Sequence, residues 1–247
     1  MGENKLRRFL IAVQFLTIIP VPYRFRATDE DLGKSMVYFP LVGLLLGGIL
    51  YGFNQAVGLI FPDRIANLGC VLTLVLLTGG LHLDGLADTA DAFFSRKNRQ
   101  RMLDIMRESQ IGAMGAMAIV FDLLLKFEIL SSLSPQLKKT ALILMPVIGR
   151  WAVIFQAVML PYARTSQGLG TVFNKHVKTK TVLLSTLFTL PAVLWFRRLN
   201  GLYTMVLVLM VTLCFIWYTR RKIGGATGDT MGAAIEIAEL ATIVFIT

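Results

Sequence analysis

Long apolar runs, separated by short stretches that carry basic residues, dominate the pattern along the chain. The runs cover residues 36–60, 68–83, 111–130, 140–160, 182–196, 202–219 and 231–246. A membrane-spanning helix needs about 20 apolar residues, so the shorter runs must borrow flanking residues or lie tilted. The pattern predicts an all-α fold, a polytopic integral membrane bundle of about seven transmembrane helices.

The N-terminal segment, residues 1–35, has a different pattern. Lys5, Arg7 and Arg8 precede an apolar stretch at 9–19, which is the order of a signal peptide. Pro20-Val-Pro22 stands where a small-residue cleavage site would be expected. The apolar stretch is also too short to cross about 30 Å of hydrocarbon. We therefore expect an uncleaved interfacial or re-entrant helix in a cytoplasmic or interfacial segment.

Composition agrees with a membrane location. Of 247 residues, 55% are hydrophobic and only 16% are charged, against about 25% charged in soluble domains. With the N-terminus inside, the inside segments 1–35, 84–110, 161–181 and 220–230 hold 18 of the 25 Lys and Arg residues. Basic residues are enriched in cytoplasmic loops, so this bias sets the orientation and explains the net charge of +10 without a nucleic-acid partner.

The remaining composition favours one membrane domain over residues 1–247. Neither Cys70 nor Cys214 belongs to a CxxC motif, since both lie inside apolar runs. No Pro/Gly/Ser-rich linker or low-complexity tract divides the chain. The more informative number is the count of Asp and Glu, which is only 15, because several of these acids fall where hydrocarbon is expected.

Three of these acids follow the second apolar run. Asp84, Asp88 and Asp91 have the spacing of one helical face. Like charges so placed repel, which is costly at a membrane border and favours a bound cation. Mg²⁺ is usually held by one or two carboxylates together with phosphate oxygens. A solvated helix face is the alternative interpretation. The neighbouring His82 is a candidate base, ligand or packing residue.

Basic residues follow this cluster closely. The stretch 96–107 holds five of them, which anchor the chain at the cytoplasmic side as positive-inside residues. Arginine also binds phosphate through two parallel hydrogen bonds, so Arg96 and Arg107 are candidate substrate ligands. Arg150, inside an apolar run, requires an acid or a phosphate as partner. Arg164, near Gly168-Leu-Gly170, could reach a phosphate or extend to the membrane surface.

A second cluster lies near the C-terminus. A glycine-rich turn that enters a helix exposes backbone N–H groups and forms an anion site, and its candidate substrate-binding residues are Gly225, Thr227, Gly228 and Thr230. Asp229, Glu236 and Glu239 then follow on one helical face. Acids inside a membrane face the bundle interior, where they line an ion path or help to hold metal and substrate. The spacing of Gly224, Gly228 and Gly232 also suits close helix packing.

Several strings resemble one known family, the cobalamin synthases. They are GGLHLDGLADTADAFFSR (79–96), RMLDIMRESQIGAMG (101–115), YAR with GLG (162–170) and GGATGDTMGAAIEIAEL (224–240). The resemblance runs along the whole chain. It implies a multi-pass enzyme of the bacterial or archaeal cytoplasmic membrane that uses Mg²⁺. It further implies that the enzyme joins adenosylcobinamide-GDP to α-ribazole or α-ribazole 5′-phosphate, with release of GMP, at a site facing the cytoplasm.

These implied substrates suggest roles for the two clusters. We expect Asp84, Asp88 and Asp91 to bind Mg²⁺, with one of them or His82 accepting the hydroxyl proton. Asp229 would complete the metal shell, and the glycine turn and nearby arginines would hold phosphate. Glu236 and Glu239 are further metal candidates, or they orient other groups and pair with Arg150. The number of ions and the presence of a homo-oligomer stay open.

Two other functions share parts of this pattern. A CDP-alcohol phosphotransferase also places spaced acids in a membrane bundle, but its pattern continues from Asp-Gly into Ala-Arg, whereas Leu-Ala-Asp-Thr follows Asp84-Gly here. A proton- or cation-coupled transporter would also need acids on two helices. The acids of the two clusters gather at one membrane face rather than the midplane, although Glu236 and Glu239 run deeper, and this placement favours the enzyme.

Overall fold

Helices make up almost all of the described chain. A computed structural model describes residues 2–21, 28–164 and 177–247, so Pro22, Gly168 and Gly170 of the motifs above lie outside the described residues. The α-helices are α1 (Gly2–Leu16), α2 (Asp29–Ser35), α3 (Phe39–Gly58), α4 (Asp63–Leu77), α5 (Leu81–Phe94), α6 (Arg99–Ile105), α7 (Ala113–Ser132), α8 (Pro135–Met159), α9 (Thr179–Ile223) and α10 (Gly228–Ile246). The described residues contain no strand, which confirms the all-α prediction.

Helix α8 lies at the centre of the bundle. It packs against α3, α9 and α10, and every residue from 140 to 154 is buried. Helix α1 ends at Leu16, earlier than the predicted stretch at 9–19, and buries Ala12, Val13 and Leu16 in the main core. The N-terminal segment is therefore helical, as predicted, and is packed on the bundle.

Large apolar side chains cover much of the outer surface. They include Leu72, Leu76, Phe121, Leu124, Leu187, Trp195, Val206 and Met210 on α4, α7 and α9. A soluble monomer rarely exposes such extended apolar surface, whereas a helix in lipid must do so. The chain is therefore a membrane protein, as its composition indicates.

The predicted count of about seven spans is not confirmed by helix length and apolarity. Among the described residues, three segments are long and apolar enough to cross a membrane: Asp29–Gly58, Pro135–Met159 and Thr179–Ile223. Helices α4 and α5 together are also long and apolar enough, but the angle between them is 86°. They would add a fourth segment if the two form one broken span. Helices α7 and α10 have 20 and 19 residues, but each carries three charged side chains.

The second predicted span, 68–83, is wrong as a continuous helix. Helix α4 ends at Leu77, and α5 begins at Leu81 in a new direction. Gly79 and Gly80 between them have φ values of 62° and 72°, a left-handed conformation that only glycine adopts readily. The Gly-Gly pair therefore ends α4 and turns the acid-bearing helix α5 away from it.

Helix α9 contains the boundary predicted between the runs 182–196 and 202–219. Arg198 has φ 51° and ψ −138°, which interrupts the helix. A Cβ at Gly201 would collide with Val193, although a straight helix would separate these residues by about 12 Å. Helix α9 is therefore folded into two arms. Thr204 Oγ1 near the fold donates to the Phe245 carbonyl at 3.3 Å, which ties the fold to the end of α10.

Candidate active site

The two acid-bearing helices, α5 and α10, cross in backbone contact. A Cβ added at Gly85 would lie 2.6 Å from the carbonyl oxygen of Asp229, and one added at Gly232 would lie 3.3 Å from Cα of His82. Small residues allow helices in a membrane to approach this closely. Of the three glycines whose spacing suits close helix packing, Gly232 makes this contact between the helices. The contact brings the acid cluster of α5 next to the acid cluster of α10.

The crossing collects carboxylates around Asp88. Asp84, Asp91 and Asp229 all interact electrostatically with Asp88. The nearby positive charge is Arg164, whose Nη2 lies 3.1 Å from Asp229 Oδ2. The crossing therefore holds more negative than positive charge.

The acids at the crossing do not form a complete metal cage. Within the described residues, no three His, Cys, Asp or Glu side chains come close enough together to hold a metal ion. Asp84 and Asp229 nevertheless line one pocket, so the predicted candidates Asp84, Asp88 and Asp229 lie in one region.

Asp91, the third predicted acid of α5, anchors the start of α7. Its two carboxylate oxygens accept hydrogen bonds from the backbone N–H groups of Gly112 at 2.6 Å and Gly115 at 2.8 Å. A side chain at either glycine would collide with this carboxylate. The positive end of a helix stabilises an adjacent carboxylate, so Asp91 fixes α7 against α5.

Glu236 and Glu239 lie deeper, in a cluster of buried charges. Lys126 of α7 pairs with both, and its Nζ is 3.1 Å from Glu239 Oε2 and 3.0 Å from Asp122 Oδ2. Arg150 donates to Glu239 and to the Pro146 carbonyl. Of the roles predicted for the two glutamates, the structure shows pairing with Arg150 for Glu239. Lys126 was not predicted, although it is a charged residue inside an apolar run.

Arg150 is fully buried, so its predicted phosphate contact would need a substrate inside the helix bundle. Its Nη2 also lies 3.5 Å from Nδ1 of His82. The sequence predicted either an acid or a phosphate as the partner of Arg150. In the structure the partner is an acid, Glu239.

The predicted glycine-rich turn is held against the loop after α8. Ala226 N–H donates to the Pro161 carbonyl at 2.8 Å, and Ala163 N–H donates to the Ala226 carbonyl at 2.9 Å. A Cβ at Gly225 would collide with the Pro161 carbonyl. Gly225 therefore serves this close pairing of backbones.

Thr227 and Thr230 cap helix α10. Thr230 N–H donates to Thr227 Oγ1 at 3.2 Å, and Thr227 N–H donates to Thr230 Oγ1 at 2.9 Å. Gln156 of α8 also donates to Thr230 Oγ1 at 3.1 Å. Both threonines are fully buried, so of the four predicted residues of the turn only Gly228 is exposed, and it lines a pocket.

Two pockets meet at the ion pair of Asp229 and Arg164. One, of about 190 Å³, is mainly apolar, and Asp84 and Asp229 are among its lining residues. The other, of about 120 Å³, is lined by Arg99, Arg107 and Arg164 with four other residues. The structure thus brings the predicted phosphate ligands Arg107 and Arg164 together, whereas Arg96 is exposed and lines neither pocket.

Arg99 was not predicted as a site residue. Its side chain donates to the carbonyls of Ile223, at 2.8 Å, and Ala163. It therefore joins the end of α9 to the loop that carries Arg164. The only sequence signal was its membership of the basic stretch 96–107.

The fold and site define a helical membrane protein with a carboxylate-rich, arginine-flanked cleft at one end of its bundle. The family model described as cobalamin-5-phosphate synthase matches residues 8–247. The chain belongs to this family, which confirms the resemblance found in the sequence. It is accordingly a transferase of cobalamin biosynthesis, and the CDP-alcohol phosphotransferase alternative is set aside.

Curated relatives agree with the family. An adenosylcobinamide-GDP ribazoletransferase of Desulforamulus reducens is 41% identical over 93% of this chain and 91% of its own length. Proteins with the same name from Acetivibrio thermocellus and Geotalea daltonii are 38% and 39% identical, and each comparison covers at least 94% of both chains. No solved structure matches the chain.

Proposed function

We propose that this chain joins adenosylcobinamide-GDP to α-ribazole or α-ribazole 5′-phosphate and releases GMP. A hydroxyl oxygen of the riboside attacks the phosphorus on the cobinamide side of the pyrophosphate. One P–O bond forms, the P–O bond to GMP breaks, and the hydroxyl proton passes to a base. The donor substrate and the ribazole group are taken from the names of the relatives. The residues of the site must then account for the transfer.

The contact between Gly85 and Asp229 is the observation that carries this proposal. It places acids from two helices beside a pocket with three arginines. Phosphoryl transfer depends mainly on positioning and on neutralisation of the phosphoryl oxygens. A cleft with both arginines and excess carboxylates supplies ligands for the pyrophosphate and for a cation.

The acids at the crossing suit Mg²⁺. All of them offer oxygen ligands. Their combined negative charge is larger than the single positive charge of Arg164, which lies beside them. Mg²⁺ commonly uses one or two carboxylates, retains several waters and completes its shell with substrate phosphates, so it does not need a cage of three side chains. We propose Asp88 and Asp229 as its ligands. The ion would neutralise charge on the phosphoryl oxygens.

The protein side chains divide the remaining tasks. Arg107 and Arg164 bind pyrophosphate oxygens, because they line the basic pocket next to the acids. Asp84 lies at the apolar pocket and accepts the proton of the attacking hydroxyl. Asp229 orients Arg164 through their ion pair. Asp91 acts through the position of α7 rather than through substrate.

We also propose that the site faces the cytoplasm and that the chain crosses the bilayer seven times. The seven crossings would be α3, α4, α7, α8, the two arms of α9 and α10. Folding gives α9 two short crossings in place of one long span. In α7, Asp122 and Lys126 are buried while Phe121 and Leu124 are exposed, so two of its three charges avoid lipid, and the third, Glu128, pairs with Arg64. The enrichment of Lys and Arg in segments at the site end supports the orientation.

Purified protein tests the proposed reaction directly. In detergent with adenosylcobinamide-GDP, α-ribazole and Mg²⁺, we expect GMP and the joined corrinoid in equal amounts, and no GMP when EDTA replaces Mg²⁺. Asp88→Asn should lower the rate at least about 100-fold, because it removes a carboxylate from the metal site. Glu128→Gln is the matched control, since Glu128 pairs with Arg64 and lines neither pocket of the site.

Three results would reject parts of this proposal. No GMP under any condition would reject the reaction. Full activity of Asp88→Asn would reject the assignment of the acids. Ion flux through proteoliposomes without GMP release would favour the transporter alternative.

A further inference from the structure

A polar pocket lies at the end of the bundle opposite the crossing of α5 and α10. It is enclosed by the ends of α3 and α7 and by the starts of α4 and α8, and its volume is about 170 Å³. Helix α8 has 25 residues, so about 37 Å separates its start at this pocket from its end near the active site. The pocket therefore lies towards the other membrane face and takes no part in the proposed transfer.

This pocket carries an excess of positive charge. Its charged lining residues are Lys138, Lys139 and Asp63. Lys138 is buried and pairs with the carboxylate of Asp63. Among the described residues, no acid pairs with Lys139. The neighbouring Arg64 and Glu128 pair with each other at 2.9 Å and leave this balance unchanged. One positive charge in the pocket is therefore uncompensated.

The ammonium group of Lys139 is held in place and is accessible to a ligand. Its Nζ lies 5.1 Å from the centre of the Tyr51 ring, and this cation–π contact restricts an otherwise flexible side chain. Lys139 is only half-buried, and the side chain of Asp63 is 61% exposed. Gln55 and Tyr51 add hydrogen-bonding groups to the lining. The pocket thus presents a positioned cation, with polar neighbours, to an anion that enters from outside.

The surface next to the pocket is apolar. In the turn between the lining residues Gln55 and Asp63, Leu59, Ile60 and Phe61 are 88%, 79% and 52% exposed. Consecutive large apolar side chains are unfavourable in water but favourable against lipid. Tyrosine and lysine side chains are typical of the headgroup level of a bilayer. A ligand that suits both parts has an anionic group for the pocket and apolar chains for the turn.

We propose that this pocket binds the phosphodiester of an anionic phospholipid from the leaflet opposite the active site. The phosphodiester carries one negative charge, which complements the uncompensated charge of Lys139. A cavity of about 150 Å³ accepts benzene, and a phosphate group is no larger, so the pocket is spacious enough. The rest of the headgroup is uncharged, as in phosphatidylglycerol, because the cation of phosphatidylcholine would lie beside the two lysines.

Native mass spectrometry of the protein in an uncharged detergent measures this binding. The protein is titrated with phosphatidylglycerol or with phosphatidylcholine that has the same acyl chains. Wild-type protein should bind one phosphatidylglycerol with a Kd at least about tenfold lower than that for phosphatidylcholine. Lys139→Gln should remove this preference, whereas Lys139→Arg, which keeps the charge, should retain it. Thermal unfolding in the same detergent verifies that each variant is folded.

Two further variants separate a defined site from general attraction between charges. Arg64→Gln is the matched control, because it removes the same charge at the same end of the bundle, from an exposed residue that does not line the pocket. It should retain the preference. Asp63→Asn should lower the Kd for phosphatidylglycerol at least about threefold, because the lining then carries two uncompensated lysines. The new amide still offers an oxygen to Asn67, which donates to Asp63 at 3.2 Å.

Each contrary outcome overturns the proposal for a different reason. Equal Kd values for the two lipids in wild-type protein would mean that the pocket does not select an anionic headgroup. Equal losses of preference in Arg64→Gln and Lys139→Gln would show diffuse attraction to the membrane surface instead of a site. Inorganic phosphate or glycerol 3-phosphate that binds as tightly as phosphatidylglycerol would identify a free phosphate as the ligand. A higher Kd in Asp63→Asn would contradict the charge balance on which the proposal depends.

Discussion

The contact between α5 and α10 predicts a large effect of one methyl group. In Gly85→Ala the new Cβ would lie 2.6 Å from the Asp229 carbonyl oxygen and 3.1 Å from its Cα, whereas ordinary contacts begin at 3.4 Å. Both atoms belong to backbone, so the helices must separate by about 1 Å. Asp84 and Asp88 would then move away from Asp229. A displacement of this size can lower the rate of a positioned reaction about 100-fold.

Steady-state GMP release and thermal unfolding in detergent measure this prediction together. We expect Gly85→Ala to lower kcat about 100-fold while the protein remains folded, with stability reduced by about 1–3 kcal/mol. Gly48→Ala is the matched control, because a Cβ on that α3 glycine meets nothing within 4 Å, and alanine suits a helix better than glycine. A Gly85→Ala enzyme with wild-type kcat would refute the idea that this contact sets the geometry of the acids.

Two further predictions concern the charges around the site. Lys126→Met should destabilise the protein by about 3–5 kcal/mol in denaturant unfolding, because it leaves Glu236 and Asp122 buried without their cation; a loss below 1 kcal/mol would show that the cluster is not a stabilising network. Arg107→Gln should raise KM for adenosylcobinamide-GDP about tenfold and leave KM for α-ribazole unchanged, since Arg107 lines only the basic pocket. Equal increases in both KM values would argue against separate pockets for the two substrates.

The sequence predicted the helices better than their breaks. Apolar periodicity located the segments that became α3, α7, α8 and α10, because burial and lipid contact both require apolar residues. It did not locate the bend after Leu77, since the run 68–83 is apolar on both sides of it. The signal was available in Gly79 and Gly80, because two consecutive residues with positive φ end a helix.

The sequence also grouped acids that the fold separates. Asp229, Glu236 and Glu239 share one face of α10, and helical spacing alone made all three metal candidates. The three acids lie at different depths, however, because α10 extends from the end of the bundle into its interior. Asp229 meets Arg164 at the cleft, whereas Glu239 meets Arg150 inside the bundle. Spacing within one helix does not reveal which cations the neighbouring helices present.

The positions of the cations distinguish the interior of the bundle from the crossing of α5 and α10, where we propose a divalent ion. In the interior, Lys126 and Arg150 nearly balance Asp122, Glu236 and Glu239, as the high cost of unpaired charge in hydrocarbon requires. At the crossing, several carboxylates share one arginine partner. Water can solvate this excess when the cleft is empty of substrate, so the fold tolerates it there. A polyphosphate substrate would add further negative charge, which the proposed cation would offset together with Arg107 and Arg164.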